Sequence, residues 1–394
     1  MTRPKKMGLT MHAARAAAML LVLAVGPVGV QGQSGDWRIE SVDVNVDQRG
    51  VAMAMDDAGT VYVAYNRSWE GLKVARRTAG GWTREIVAEG VFLTAVSMDV
   101  APSGQPGIAL MDAGTPRSGL WYYSLGPAGW QGESAGGRGG GSSLAIDSLG
   151  RPHIAHEQSW AGSGVSNIHT WWDGSDWQYD WLNGGPPAWD AGIALDSLDY
   201  PRTVFQDWDG LMHIAWDGSA WESTIIGRSD EGAVSMKVAV DAADRSHVAF
   251  VTYPSRDLKY AIQTGTGWQV ETIQRRICSG PTTISLDLAP DGTPHIAYQD
   301  AFERLVKHAV RTDGQWDIDV VDAGRSTYMV DMDVDGKGVP HIVYYNRSMG
   351  ELRYATVPEP ATLAMILAGA GFAIRRKGMR NTGRPGGRRK MDRA

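Results

Sequence analysis

Short runs of alternating apolar and polar residues, broken by Gly, Pro, Asp or Asn, recur from about residue 50 to residue 356. Such runs, each about five residues long, are the pattern of β-strands joined by tight turns. The clearest unit is Thr283–Val321, TISLDLAPDGTPHIAYQDAFERLVKHAVRTDGQWDIDVV. Within it ISLDL alternates, PHIAY follows a Gly turn, LVKHAV follows a polar loop, and WDIDVV follows Asp-Gly. These four strands, a to d, form a meander, and a recurring four-stranded meander predicts the blade of a β-propeller.

Aligned on the residue that turns strand a into strand b, the copies fall at Gly59, Gly104, Gly150, Asp199, Asp244, Gly292 and Gly338. Gly, with Asp as its nearest substitute, suits a turn at positive φ. Four and six residues before the turn every copy is large and apolar, as in Met53 and Met55 or Leu286 and Leu288. Five before it stand Ala54, Asp99, Ala145, Ala194, Ala239, Asp287 and Asp333, small or acidic, as crowding near a propeller axis requires. Strand b often reads PHIA, with Pro at its first position, where the ladder has not begun. Strand d opens on Trp82, Trp130, Trp177, Trp221, Trp268 and Trp316, six for seven copies.

The seventh lies at the other end of the chain. Trp37, in DWRIESV, precedes Gly59 by the same 22 residues that separate Trp82 from Gly104 and Trp316 from Gly338. The N-terminal strand is therefore expected to complete the last blade, tying the termini together and removing both free edges. The fold class is all-β: a single seven-bladed β-propeller, residues 34–356, of four-stranded blades built by stacking.

Composition agrees and narrows the chemistry. The 394 residues include 49 Gly and 16 Trp but one cysteine, Cys278, so neither a disulfide framework nor a Cys-based zinc site is available. Residues 33–357 carry 25 basic and 42 acidic side chains, a formal charge of −17. Such a domain is a poor nucleic-acid partner and repels anionic polymers unless local Arg clusters intervene.

The ends read as targeting segments. Residues 1–32 carry Arg3, Lys5, Lys6 and Arg15, then AAAMLLVLAVGPVGV, then small residues to Gly32, the layout of a signal peptide. At the other end Pro358-Glu359-Pro360 leads into LAMILAGAGFAI and then Arg375-Arg376-Lys377. This order of motif, apolar segment and basic stop resembles the PEP-CTERM sorting signal, assigned here to 357–394. The resemblance implies recognition by an exosortase, removal of the tail, and delivery to the cell surface or extracellular matrix of a bacterium with a Gram-negative-type envelope. The apolar segment is shorter than the ~20 residues that span a bilayer, so membrane contact would be transient. An ordinary short C-terminal anchor is the alternative, and the basic tail continuing to Ala394 departs from the family pattern.

Candidate chemistry is sparse. The Trp at one position of every blade is expected to be a packing wedge, and His153, His247, His295 and His341, which share one strand-b position, structural hydrogen bonders. Asp331, Asp333 and Asp335 resemble the start of a calcium loop, but the first two fall inside strand a and the twelfth position is Ile342. No metal or cofactor is expected. The Asp boxes of sialidase propellers are absent, as are a nucleophile elbow, a Walker loop and HExxH. The variable b–c and d–a loops share one end of a propeller, and they gather Arg67, Trp69, Arg138, Trp160, Trp189, Trp208, Arg275, Arg276, Asp300, Arg304, Arg325 and Arg347. Aromatic platforms beside planar donors suit sugars or carboxylated polymers. The expected function is a non-catalytic surface module that binds polysaccharide or a partner protein. A secreted glycosidase or polysaccharide lyase, and a purely structural matrix protein, are the alternatives.

Overall fold

The structure, a computed structural model, describes residues 37–358 except 68–69, 115–117, 161–163, 186–189, 229–231, 279–282 and 324–326. The segments read as signal peptide and as sorting signal beyond Pro358 lie outside these residues. The described chain forms 28 strands, from β1 (Arg38–Val44) to β28 (Glu351–Thr356), in seven antiparallel four-stranded sheets. Blades 1 to 7 begin with the inner strands β2 (Val46–Met55), β6 (Leu93–Val100), β10 (Ser142–Ile146), β14 (Gly192–Leu195), β18 (Gly232–Val240), β22 (Ile284–Leu288) and β26 (Thr327–Val334). Each is followed in order by its b and c strands and, in blades 1 to 6, by its d strand.

Blade 7 takes its outer strand from the N-terminus. β1 pairs with β28 from Arg38 opposite Thr356 to Val44 opposite Glu351. A bulge interrupts this pair between Ser41 and Asp43, and a bulge recurs in the c–d pair of every other blade, as between Leu72 and Lys73 or Val306 and Lys307. Each adds local twist to the outer edge. All seven turn residues have positive φ, Gly59 at 80° and Gly338 at 80°, with Asp199 at 62° and Asp244 at 59°.

The apolar core is seven layers, one at each boundary between consecutive blades. The layer joining blades 7 and 1 holds Val42, Val63, Tyr65, Val343 and Leu352; the layer joining blades 6 and 7 holds Ile342, Tyr344, Val306 and Val330. This explains why the b strands are buried along nearly their whole length: each blade is covered on both sides.

The strand-d tryptophans sit in these layers as expected. Trp37, Trp82, Trp177, Trp221, Trp268 and Trp316 each meet a ring on strand c of the preceding blade edge-on, with centroids 5.0–5.7 Å apart. Four indole N–H groups donate to strand d of that blade: Trp130 to Glu85, Trp221 to Asp180, Trp268 to Thr224 and Trp316 to Glu271. The strand-b histidines complete the same joint. His247 bonds Asp241 at 3.1 Å and the Tyr260 hydroxyl at 2.6 Å, and Tyr260 receives Trp316. In blade 6 the partner is His308, 2.9 Å from His295, and in blade 3 it is His169, 3.1 Å from His153. Burial holds these imidazoles below their ordinary pKa, to about 4 for His295 and about 3 for His308.

Candidate functional site

An axial channel of about 790 Å³ runs between the inner strands. An inner strand is a sheet edge, so its axis-facing N–H groups have no ladder partner. Acidic and hydroxyl side chains of neighbouring blades accept them. Asp99 accepts from Ile146 N at 2.7 Å, Asp287 from Val334 N at 2.7 Å, Ser143 from Ile193 N at 3.3 Å, and Asp331 from Met53 N at 2.8 Å. The last of these closes the ring on the axis between blades 7 and 1. Sequence alternation placed Asp99 and Asp287 on the axis side of strand a; the work of these residues as acceptors depends on the neighbouring blade and was not legible.

Burial pushes the Asp99 carboxyl up to about 6, against the pull of two amide hydrogen bonds. Asp333 is held well above the usual carboxylate range by burial and by the charge of Asp287, to which it is hydrogen-bonded. This carboxylate pair lies toward the a–b turn end of the channel, and its remaining oxygens accept from Val334 N and Leu288 N. A pair in direct hydrogen-bond contact is closer than the roughly 5–10 Å used for glycoside hydrolysis. Asp331, Asp333 and Asp335 engage different partners: Asp331 takes Met53 N and the Ser285 hydroxyl, and Asp335 takes Lys337 N and Val339 N. Among the described residues no group of three or more His, Cys, Asp or Glu is arranged to hold a metal ion.

The opposite end, formed by the b–c and d–a loops, has a different character between blades 5 and 6. Three loops there are tied into one shelf. Ile277 N donates to Arg256 O at 2.9 Å, Ala301 N to Ile277 O at 2.7 Å, and Arg276 N to the Asp257 carboxylate at 2.9 Å. Two exposed rings stand on it, each with a guanidinium over its face: Arg256 lies 4.4 Å from the Tyr253 centroid and Arg276 lies 5.9 Å from the Phe302 centroid. Tyr253 is 52 % exposed and Phe302 53 %. Arg275 and Arg304 are exposed beside them. Trp208, 69 % exposed, projects from the b–c loop of blade 4 next door.

Of the residues singled out from sequence, Arg275, Arg304 and Trp208 lie on this arc. Asp300 lies beneath it, 1 % exposed, where its carboxylate accepts from Lys307 Nζ at 2.8 Å, Gln274 Nε2 at 2.6 Å and the Phe302 and Glu303 amides. It shapes the shelf from below, because a buried carboxylate can organise four donors at once. Arg67 is elsewhere, paired with Glu70 at 3.1 Å, and Arg347 is exposed in blade 7. Trp69, Trp189 and Arg325 fall outside the described residues, and Trp160 lies in strand b of blade 3. Tyr253 and Arg256 were not among the sequence candidates. Their signal was the Tyr-Pro-Ser-Arg-Asp run in a b–c loop, which has no counterpart in the other blades.

The fold and the C-terminal motif define an exported, surface-sorted protein whose described domain is a seven-bladed β-propeller. Residues 356–377 match the PEP-CTERM protein-sorting motif. No curated protein compared with the chain matches it. Among solved structures, the fucose-specific lectin from Aleuria aurantia is similar at 15 % identity, over 72 % of this chain and 99 % of that one, with a TM-score of 0.52. Virginiamycin B lyase from Staphylococcus aureus, solved in a catalytically inactive form with quinupristin, is similar at 10 % identity over 82 % and 100 %, with a TM-score of 0.53. At these identities the likeness is one of fold.

Proposed function

We propose that this protein is a non-catalytic polysaccharide-binding module, displayed at the cell surface or in the extracellular matrix after exosortase processing, that engages its ligand through the loop face. The carrying observation is the pair of exposed rings, Tyr253 and Phe302, each with an arginine over it and both held on one hydrogen-bonded shelf. Rigid aromatic faces beside planar donors take up the apolar faces and hydroxyls of sugar rings. Topology supports the reading. Strand c of blade 7 starts at the loop face and ends at Thr356 on the opposite face, where the sorting motif begins. A protein attached through the chain end left near Thr356 presents the shelf away from its attachment. In the Aleuria aurantia lectin a related propeller, of six blades, belongs to a fucose-specific protein.

Calorimetry of the purified protein against neutral and acidic polysaccharides tests this. Binding is expected, and Tyr253→Ala or Phe302→Ala should weaken it by about fivefold or more at unchanged melting temperature. No binding to any polysaccharide, or binding indifferent to both variants, would refute it.

A further inference from the structure

The shelf carries a feature that folding does not require. Arg256 and Arg304 occupy the same place in blades 5 and 6, two residues before the buried strand-c residues Leu258 and Val306, which pair with Val251 and Gln299. Both have left-handed backbones, with φ of 64° and 60°. Blade 7 has the same conformation at the same place, two residues before Leu352, but uses glycine there: Gly350, φ 65°. Arg276, in the loop between them, is left-handed too, at 53°. Glycine adopts this conformation without strain and arginine does not. The side chain retained at that cost is each time a guanidinium.

The chemistry of these guanidinium groups is distinctive. Among the described residues none of Arg256, Arg275, Arg276 and Arg304 forms an ion pair, although the domain is strongly acidic. The nearby acids are committed: Asp300 and Glu303 to Lys307 at 2.8 and 2.7 Å, and Asp257 to the Arg276 amide. The shelf is thus a local cationic island with two exposed rings in a domain of formal charge −17. We infer that its ligand is a carboxylated polysaccharide, whose uronate groups are taken by Arg256, Arg276 and Arg304 while its sugar faces rest on Tyr253 and Phe302. This rests on the polysaccharide-binding reading and adds the charge of the ligand. Planar guanidinium forks match carboxylates bidentately, and the acidic surroundings would repel a polyanion that lacked such contacts.

The test uses Arg256→Gly and Arg304→Gly, alone and together, in the full protein. Glycine is what blade 7 uses at this place, so the variants should fold with melting temperatures within about 2 °C of the parent. Probes are polygalacturonate, dextran and inorganic polyphosphate, titrated at low and high salt. Polygalacturonate should bind most tightly and weaken with salt, and the double variant should lose about tenfold or more of that affinity. Dextran bound as tightly as polygalacturonate would overturn the inference yet leave polysaccharide binding standing. Binding of neither polysaccharide would remove both. Polyphosphate bound as tightly as polygalacturonate would reduce the shelf to a charge trap and overturn the inference, as would a double variant that binds polygalacturonate like the parent.

Discussion

Asp333 is hydrogen-bonded to Asp287 across the boundary of blades 6 and 7, on the wall of the axial channel, and burial raises both carboxyls above the usual carboxylate range. The negative charge of Asp287 raises Asp333 further, because like charges in contact repel. A raised folded pKa means that the folded state keeps a proton the unfolded chain has released. Its stabilisation is therefore present at low pH and lost as pH rises through the folded value. Asp333→Asn imitates the protonated form and cannot be charged. It should unfold at the same temperature as the parent near pH 5 and about 2 °C or more above it near pH 9, by thermal melts at several pH values. A variant less stable than the parent at pH 9 would mean that the Asp333 carboxyl is not held above its ordinary range.

The His295–His308 pair acts in the opposite direction. Burial lowers both pKa values, to about 4 and about 3, so below about pH 6.5 the unfolded chain takes up protons that the folded pair refuses. Stability supplied by this joint is complete above pH 6.5 and falls as pH drops toward 4. Blades 5 and 7 place Tyr260 and Tyr354 where blade 6 has His308. His308→Tyr keeps the bond to His295 and removes one titrating ring. Denaturant melts should show little change at pH 7 and a shallower loss of stability between pH 6.5 and 4.

Trp316 tests the blade joint. Its ring meets Tyr260 edge-on at 5.2 Å and its N–H reaches Glu271 at 3.0 Å. Trp316→Phe retains the ring contact and should cost about 1 kcal/mol, while Trp316→Ala opens the layer and should cost about 3 kcal/mol. Chemical denaturation separates the two. Equal losses would mean that the hydrogen bond, rather than the ring, carries the whole effect.

Ring closure by the N-terminal strand is open to truncation. Without residues 37–44, β28 becomes a free edge, and the layer between blades 7 and 1 loses Val42 and the Asp43 acceptor of the Tyr65 hydroxyl. An exposed edge of this kind recruits other strands. Size-exclusion chromatography should show oligomers or aggregate from the truncated protein, and a stable monomer would show that closure is dispensable.

The architecture was legible in the sequence because it repeats. Period-two alternation, Gly or Asp at each a–b turn, and a Trp at each strand d are local requirements, and local requirements write themselves into every copy. The equal spacing of Trp37 from Gly59 revealed that the first strand serves the last blade, since a missing element in one copy and a spare one at the other end can only be the same piece. The loops were legible as a class and not as a site. Arg275, Arg304 and Trp208 were recognisable candidates, but so were Arg67, which is paired with Glu70, and Asp300, which is buried.

Sequence alone determined the strands, their number and the order of their closure, because hydrophobic period and turn chemistry act over a few residues. Tertiary structure decided the rest. It brought Tyr253, Arg276 and Phe302 from three separate loops onto one shelf and gave the channel carboxylates the edge N–H groups of neighbouring blades. It also showed Arg256 and Arg304 in the backbone conformation that blade 7 entrusts to Gly350. Each of these depends on which blades become neighbours in space, and on a φ angle that no side chain announces.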